Sequence, residues 1–364
     1  MQVTDVASVL EQFAPLQLQE SYDNAGLCVG NPITEVTGIL LTIDITEEIL
    51  DEAAAKKCNL VISHHPLIFS GIKHIIGQNS VEKCIIKAIQ NNIAVYSAHT
   101  NIDSVFDGVS HKMCEKLSLQ NCSILSPLKR GLKKLVTFVP ISHVEQVREA
   151  IFKSGAGNIG NYDNCSFNVK GNGTFRGNEE SKPFAGEKGK NHIEEEIRIE
   201  TIFPEYLQYK VIKALIDAHP YEEVPYDIYP LDNTFDKAGM GMIGVLPEEK
   251  KEKSFLSLVK SSFSAGCIRH TRLLNKPVKK VAVCGGSGSS LLNDAILLGA
   301  DAFITGDFKY HQFFQAENKI LIIDIGHFES EQFTKEIFYN LLIKKFPNFA
   351  VHFSSVNTNP INYL

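Results

Sequence analysis

Two parts of the chain, one near each end, alternate short apolar runs with helical segments. In the first part, apolar runs rich in β-branched residues occupy 37–45, 59–64 and 93–99, and helical patterns fill 46–57 and 80–92. Helices placed between fully apolar strands are typical of a parallel sheet that is covered on both faces. We therefore predict an α/β fold whose core has three layers, with a mostly parallel sheet between two layers of helices.

The last third of the chain repeats this alternation. Apolar strand-like runs lie at 279–286, 301–306 and 320–326, and helical segments lie at 289–299 and 330–346. The repetition predicts that both ends of the chain contribute to the same α/β core.

The middle of the chain has a different pattern. Two strand–helix–strand units are predicted, at 133–175 and 195–231, and a polar stretch at 176–192 that is rich in Gly, Ser and charge is expected to be a solvated loop between them. Two such units within about 100 residues are typical of a ferredoxin-like α+β domain. We predict a first core segment, an inserted domain and a second core segment at 1–128, 129–236 and 237–364.

Composition excludes several classes of protein. The formal net charge of -6 argues against bulk binding to nucleic acid or to an anionic membrane. The N-terminal residues do not resemble a secretory signal, and the chain has no apolar run of about 18 residues. The eight cysteines are scattered and form no C-x-x-C pair, which argues against disulfides and against a thiolate zinc site. We expect a cytoplasmic protein without a membrane segment.

Imidazole and carboxylate side chains follow several of the predicted strands. Ligands in open α/β sheets bind beyond the carboxyl ends of the strands, so these side chains are candidates for a shared site. They are His64 and His65, His99 and Asp103, Asp307 and His311, and His327 and Glu331.

The last pair has a spacing of four residues, which places both side chains on one face of a helix. A carboxylate has two oxygens and can bridge two cations, and imidazole nitrogens suit zinc, iron, manganese or cobalt. Two such ions about 3.5–4 Å apart form a hydrolytic centre. The sequence therefore points to a metal site with histidine and carboxylate ligands.

Each of these features also has a simpler interpretation. Adjacent histidines are often hydrogen-bonded surface groups, and a His/Glu pair at this spacing is often an exposed helix face. His99, Asp307 and His311 support ligands, contact substrate, or line a cleft without a specific role.

Three further motifs have alternatives as well. The glycine-rich stretch 284–290 can hold an anion, but it matches no nucleotide-binding pattern, so a tight strand-to-helix connection is favoured. The stretch 23–30 is either a turn with Asn24 and Gly26 at positive φ or a segment in which Asp23 or Asn24 supports the site. The segment 219–227 is expected to lead into a strand of the insert.

Taken in order, six motifs resemble those of the GTP cyclohydrolase I type 2 homologue family, the Ngg-interacting-factor-three-like proteins. The insert is similar to the PII- and CutA-type ferredoxin-like domain of the longer bacterial members. The motifs are DNAGLCVG (23–30), SHHPLIF (63–69), HTNID (99–103), GGSGSS (285–290), TGDFKYH (305–311) and GHFESE (326–331).

The resemblance implies a dinuclear metal site with two divalent ions per subunit, zinc foremost and iron, manganese or cobalt as alternatives. It also implies a homohexameric toroid whose metal sites face an internal cavity. Ser330 stands where the family often has Thr, which leaves the ligands intact. The ligands carried over from the family motifs are His64, His65, Asp103, His327 and Glu331.

The function expected from these observations is a metal-dependent hydrolase that acts on a nucleotide or a small phosphorylated molecule. His99, His311 and Asp307 are the candidate catalytic groups, with either histidine as proton shuttle. The alternative is a non-catalytic metal-binding oligomer that regulates, with an insert that senses a ligand or recruits a partner. Nucleic-acid processing inside a toroid is a third idea, which the negative net charge disfavours.

Overall fold

The computed structural model describes residues 1–364, and the chain forms two compact units. The first unit contains residues 1–127 and 236–364, and the second contains residues 128–235. Each unit has its own buried apolar core.

The first segment of the first unit contains ten helices and strands. They are α1 (Val3–Phe13), β1 (Gly26–Val29), β2 (Ile39–Thr42), α2 (Glu47–Ala55), β3 (Leu60–Ser63), α3 (Ser80–Gln90), β4 (Ala94–Ser97), α4 (Thr100–Asp103), α5 (Val109–Lys116) and β5 (Gln120–Lys129).

The second unit contains two helices and four strands. They are β6 (Leu132–Pro140), α6 (Val144–Lys153), β7 (Phe167–Phe175), β8 (His192–Pro204), α7 (Gln208–Ala218) and β9 (Tyr226–Leu231).

The remaining elements complete the first unit. They are β10 (Thr234–Lys251), α8 (Glu252–Ser262), β11 (Arg269–His270), β12 (Pro277–Val283), α9 (Leu292–Leu297), β13 (Ala302–Thr305), β14 (Leu321–Asp324), α10 (His327–Glu331), α11 (Thr334–Lys345) and β15 (Val351–Phe353).

The first unit has two mixed sheets, where the alternation of elements predicted one mostly parallel sheet. One sheet has the order β1-β4-β3-β2-β15, and the other has the order β11-β14-β13-β12-β10-β5. Parallel strands form the centre of each sheet, and β1 and β11 pair antiparallel at the edges. Hydrophobic periodicity is a local signal and does not specify which strands pair, so the division into two sheets had to come from the structure.

The register of the parallel strands aligns their carboxyl ends. Thr42 pairs with Ser63, and Ser63 pairs with Ser97, so β2, β3 and β4 end side by side. In the other sheet Thr305 of β13 pairs with Asp324 of β14. The residues that follow these strands consequently begin at the same edge of each sheet.

The final helix differs from its prediction. The pattern at 330–346 predicts one helix, whereas the structure has the short α10 followed by α11. The hydroxyl of Thr334 donates to the carbonyl oxygen of Glu331 at 2.7 Å, which satisfies a carbonyl that the break leaves free. The interruption makes α10 a separate single-turn support for His327 and Glu331.

The second unit has a four-stranded antiparallel sheet with the order β7-β8-β6-β9. Both helices bury apolar side chains in the core of this unit, including Val147 of α6 and Val211 and Leu215 of α7. No helix of the chain is both long enough and apolar enough to cross a membrane.

Candidate metal centre

Five side chains meet where strands of the two sheets of the first unit end. His64 and His65 directly follow β3, and Asp103 is the last residue of α4, which begins three residues after β4. His327 and Glu331 are the first and last residues of α10, close after β14. His64 is completely buried and Glu331 is 3% exposed, so the cluster is largely inside the protein.

Three of these side chains form a compact triangle of ligand atoms. The Nε2 atoms of His65 and His327 are 3.1 Å apart, and each lies 3.0 Å from Oε2 of Glu331. Ligand atoms around a tetrahedral zinc ion with bonds of about 2.0–2.1 Å are separated by about 3.3 Å. The triangle therefore has nearly the dimensions of one face of a tetrahedral metal site.

The other oxygen of Glu331 belongs to a second group of ligand atoms. Oε1 lies 3.5 Å from Nε2 of His64, and that nitrogen lies 3.8 Å from Oδ1 of Asp103. Glu331 thus contributes one oxygen to each group. His64, His65 and Glu331 also qualify together as a group whose ligand atoms lie close enough to hold one ion.

The tautomers of the histidines can be inferred from their other ring nitrogens. Nδ1 of His64 lies 2.9 Å from the carbonyl oxygen of Ala98, which can only accept, so Nδ1 carries the proton. Nδ1 of His65 faces Asp44 at 2.6 Å, and Nδ1 of His327 faces Asp307 at 2.7 Å. In the neutral rings the Nε2 atoms then direct lone pairs into the cluster, as metal-binding histidines do.

Three atoms of the cluster are buried without a hydrogen-bond partner. They are Nε2 of His64, Oδ1 of Asp103 and Oε2 of Glu331. Two histidine nitrogens lie 3.0 Å from this Glu331 oxygen, but neither contact has the geometry of a hydrogen bond. Buried polar atoms are normally satisfied, and unpartnered acceptors that belong to one buried cluster are stabilised by a positive charge among them. The residues present therefore fit a bound cation.

The charges of the cluster shift its protonation in the absence of a cation. Burial alone lowers the pKa of His65, but the neighbouring carboxylates of Asp44 and Glu331 outweigh burial and raise the pKa to about 9. Burial likewise lowers the pKa of His327, and Asp307 and Glu331 raise it to about 11. Burial raises the pKa of Asp103 to about 6, although His64 opposes that shift. Protons thus take the place of metal when metal is absent.

This protonation predicts how the stability of the metal-free protein depends on pH. A raised histidine pKa stabilises the folded state fully below the unfolded pKa of about 6.5, and that stabilisation is lost as pH rises through the folded pKa. For His65 the window therefore runs from about 6.5 to about 9. We expect thermal unfolding of chelator-treated protein to occur at lower temperature at pH 9 than at pH 6.5.

The Asp44→Asn variant is the control for this effect, because it removes a carboxylate that raises the pKa of His65. Its unfolding temperature should depend less on pH over the same window. An unfolding temperature of the metal-free wild type that is constant or rises from pH 6.5 to 9 would contradict the assignment.

The backbone of the glycine-rich stretch packs directly against the cluster. The amide of Gly286 donates to Oγ of Ser330 at 2.9 Å, and the amide of Gly288 donates to Oγ1 of Thr305 at 2.9 Å. A Cβ atom on Gly286 would lie 2.3 Å from Oε1 of Glu331. The glycine therefore lets the backbone approach the carboxylate that the two groups of ligand atoms share.

The catalytic candidates lie at different distances from the cluster. The ring of His99 lies 5.4 Å from that of His64 and 5.5 Å from that of His65, and its Nδ1 faces Asp23 at 2.8 Å. Asp307 supports His327 through the contact described above. The structure shows His311 exposed beside Tyr310 and Phe314, with no contact to the ligand atoms.

Two supporting residues escaped prediction. Asp44 holds His65, and its Oδ2 accepts from the hydroxyl of Thr358 at 2.6 Å. The apolar run 37–45 predicts a strand throughout, whereas β2 ends at Thr42. With that end placed correctly, Asp44 satisfies the same strand-end criterion as the other site residues. Nothing in the local sequence around Thr358 indicates its contact.

The chain is similar to known proteins over nearly its whole length. A family described as Duf34/NIF3 (NGG1p interacting factor 3) matches residues 1–360. A Bacillus subtilis protein named GTP cyclohydrolase 1 type 2 homolog is 37% identical, and the match covers 99% of this chain and 98% of the relative. A Halalkalibacterium halodurans protein of the same name is 38% identical with the same coverage.

The fold is also similar to solved structures over the whole chain. The crystal structure of a Bacillus cereus protein related to NIF3 is 40% identical and superposes with a TM-score of 0.86, covering 100% of this chain and 99% of that chain. A Staphylococcus aureus protein is 28% identical with a TM-score of 0.79 and the same coverage.

Proposed function

The chain belongs to the Duf34/NIF3 (NGG1p interacting factor 3) family, and on that premise we propose that it is a dinuclear metal-dependent hydrolase acting on a nucleotide or a small phosphorylated molecule. The observation that carries the proposal is that three buried atoms without a hydrogen-bond partner, on His64, Asp103 and Glu331, belong to one cluster of side chains. The relatives are named only as homologs of a cyclohydrolase, so their name supports a nucleotide substrate without establishing a reaction.

Two divalent ions fit the two groups of ligand atoms. One would be held by His65, His327 and Glu331, and the other by His64, Asp103 and Glu331. Histidine and carboxylate ligands without thiolate suit zinc, and also iron, manganese or cobalt. When bound, such a pair polarises a carbonyl or phosphoryl oxygen and lowers the pKa of water.

The side chains around the cluster orient it and provide for proton transfer. Asp44 and Asp307 fix the rings of His65 and His327, so that their Nε2 atoms face inward. His99 is held by Asp23, which also accepts from the backbone amide of Thr100 at 3.0 Å. An imidazole beside the cluster that is oriented by a carboxylate is suited to act as general acid or base.

The test of this role is the His99→Gln variant. We expect kcat to fall by about 10²–10⁴-fold, because general acid–base catalysis contributes that much. Metal content should remain that of the wild type, because His99 is not among the proposed ligands. The measurement is a hydrolase screen on nucleotides and phosphoesters, run on protein reloaded with the metal that elemental analysis of the purified protein identifies.

The screen also tests the hydrolase itself. Full turnover by the His99→Gln variant would show that His99 takes no part in the reaction. If the fully metal-loaded wild type turns over no substrate, the hydrolase proposal is wrong and the second candidate function remains.

That second candidate is a non-catalytic, metal-binding homo-oligomer, proposed as a hexamer in the cytoplasm, that regulates through its insert. The separate core of the second unit favours it, because a unit of this kind can bind a ligand of its own. The strand order β7-β8-β6-β9 supports the ferredoxin-like, PII- or CutA-type assignment of this insert. Light scattering of the purified protein tests the hexamer.

A further inference from the structure

The second unit contains a cavity of about 680 Å³, a size typical of small-molecule sites, which span roughly 300–1,000 Å³. Phe138, Phe175, Phe184 and Tyr221 contribute aromatic rings to its lining. The ring of Tyr221 lies 6.1 Å from that of Phe175 and 6.0 Å from that of Phe184. Three neighbouring rings thus form an aromatic wall against which a planar group can stack.

Two segments that the sequence predicts only as connections help to form this cavity. The stretch 176–192 is predicted to be a solvated loop, and residues 176–191 form neither helix nor strand, but Pro183 and Phe184 also line the cavity. The segment 219–227 is predicted to lead into a strand, and it also contributes Tyr221 and Pro225 to the lining. Polar composition predicts the loop but does not reveal its apolar contacts.

One buried carboxylate lines the cavity. Glu196 of β8 is 7% exposed, and its Oε1 accepts a hydrogen bond from Oη of Tyr221 at 2.8 Å. Its Oε2 receives no hydrogen bond from the protein, and no cationic side chain pairs with Glu196. Because one oxygen of this largely buried carboxylate has no donor from the protein, the group is suited to accept N–H donors from a ligand.

A glycine preserves the space beside this carboxylate. A Cβ atom on Gly173 would lie 2.2 Å from Oε2 of Glu196, whereas a Cβ atom on Gly171 would meet nothing within 4 Å. Both glycines line the cavity on β7. The two positions therefore provide a matched pair for mutation.

The charges of the lining restrict the ligand. Three acidic residues, Glu196, Glu222 and Glu223, and two basic residues, Arg176 and Arg198, line the cavity. Arg198 already pairs with Glu200, at 2.9 Å. Such a lining does not favour a polyanion such as a triphosphate, so the ligand should be neutral or cationic.

We propose that this cavity binds a planar nitrogen-containing ligand, which stacks on the aromatic wall and donates two adjacent N–H groups to Glu196. A guanine base and an aromatic amidine share this chemistry, the first neutral and the second cationic. The inference does not depend on hydrolysis at the metal centre, and it assigns a ligand site to the second candidate function.

The experiment is calorimetric titration of the full-length protein with guanosine, adenosine, uridine and benzamidine, in metal-loaded and in metal-free form. Guanosine and benzamidine should bind, whereas adenosine and uridine, which lack parallel N–H donors on two neighbouring nitrogens, should bind at least 10-fold more weakly. The Glu196→Gln and Gly173→Ala variants should weaken the stronger probe at least 10-fold, and Gly171→Ala should bind as the wild type does. If only benzamidine binds with an affinity that falls steeply as salt is added, the natural ligand belongs to the class of cations. If guanosine binds more strongly than benzamidine and its affinity does not depend on salt, the natural ligand is a nucleobase.

Circular dichroism checks the fold of each variant, and Gly173→Ala decides the outcome if Glu196→Gln is not folded. Failure of both probes to bind the wild type at millimolar concentration would overturn the proposal. The proposal would also be overturned if the Gly173→Ala variant and the Glu196→Gln variant each bound the stronger probe with wild-type affinity. Neither result affects the hydrolase proposal, which is tested by turnover at the other unit.

Discussion

The Glu331→Gln variant should lose both metal ions. Glu331 supplies one oxygen to each group of ligand atoms, so a neutral amide at this position weakens both groups at once. Changes to residues that only support ligands typically cost about 10–100-fold in metal affinity, so loss of a shared ligand should cost at least about 100-fold. Elemental analysis after dialysis should find close to two ions per wild-type chain and almost none in the variant, and any hydrolytic turnover should disappear with them.

The matched control is Glu329→Gln, on the same single-turn helix. Glu329 is also buried, at 6% exposure, but its Oε1 accepts from Asn359 at 3.2 Å and it is not one of the ligands. This control should keep the metal content of the wild type. A Glu331→Gln protein with a full complement of metal would refute the shared-ligand assignment, and full turnover in a metal-free preparation would refute the hydrolase proposal.

The Gly286→Ala variant should lose metal without any change to a ligand. The added methyl group would lie 2.3 Å from Oε1 of Glu331, and Gly286 has a φ of +61°, which side chains rarely adopt. Either the carboxylate or the glycine-rich loop must move. We expect metal affinity to fall by about 10–100-fold, as it does when residues that hold metal ligands in place are changed. The unfolding temperature should fall as well.

The control separates backbone strain from displacement of the carboxylate. Gly299 has a φ of +71°, but a Cβ atom there would meet nothing within 4 Å. The Gly299→Ala variant should therefore lose stability for the same conformational reason and keep its metal. Equal metal affinity in the two variants, measured by competition with a chelator, would show that the contact between Gly286 and Glu331 is unimportant.

Local patterns in the sequence were sufficient to locate most strands and helices. The apolar run 59–64 contains β3 (Leu60–Ser63), and the helical pattern 46–57 contains α2 (Glu47–Ala55). They succeeded because side-chain periodicity and helix capping act over a few residues. The same patterns predict a strand that extends past the end of β2 and includes Asp44, so they do not mark Asp44 as a residue that follows a strand. They also predict one helix where the structure has α10 and α11.

Strand ends also led to the candidate ligands, because a parallel sheet brings its carboxyl ends to one edge wherever its strands lie in the chain. The sequence by itself determined the alternating elements and which imidazoles and carboxylates follow them. Tertiary structure alone decided that the strands divide into two sheets, that Glu331 lies between two groups of ligands, and that Glu196 faces an aromatic cavity. These features depend on pairing and packing between residues far apart in the chain, such as His65 and His327, and no local pattern records such contacts.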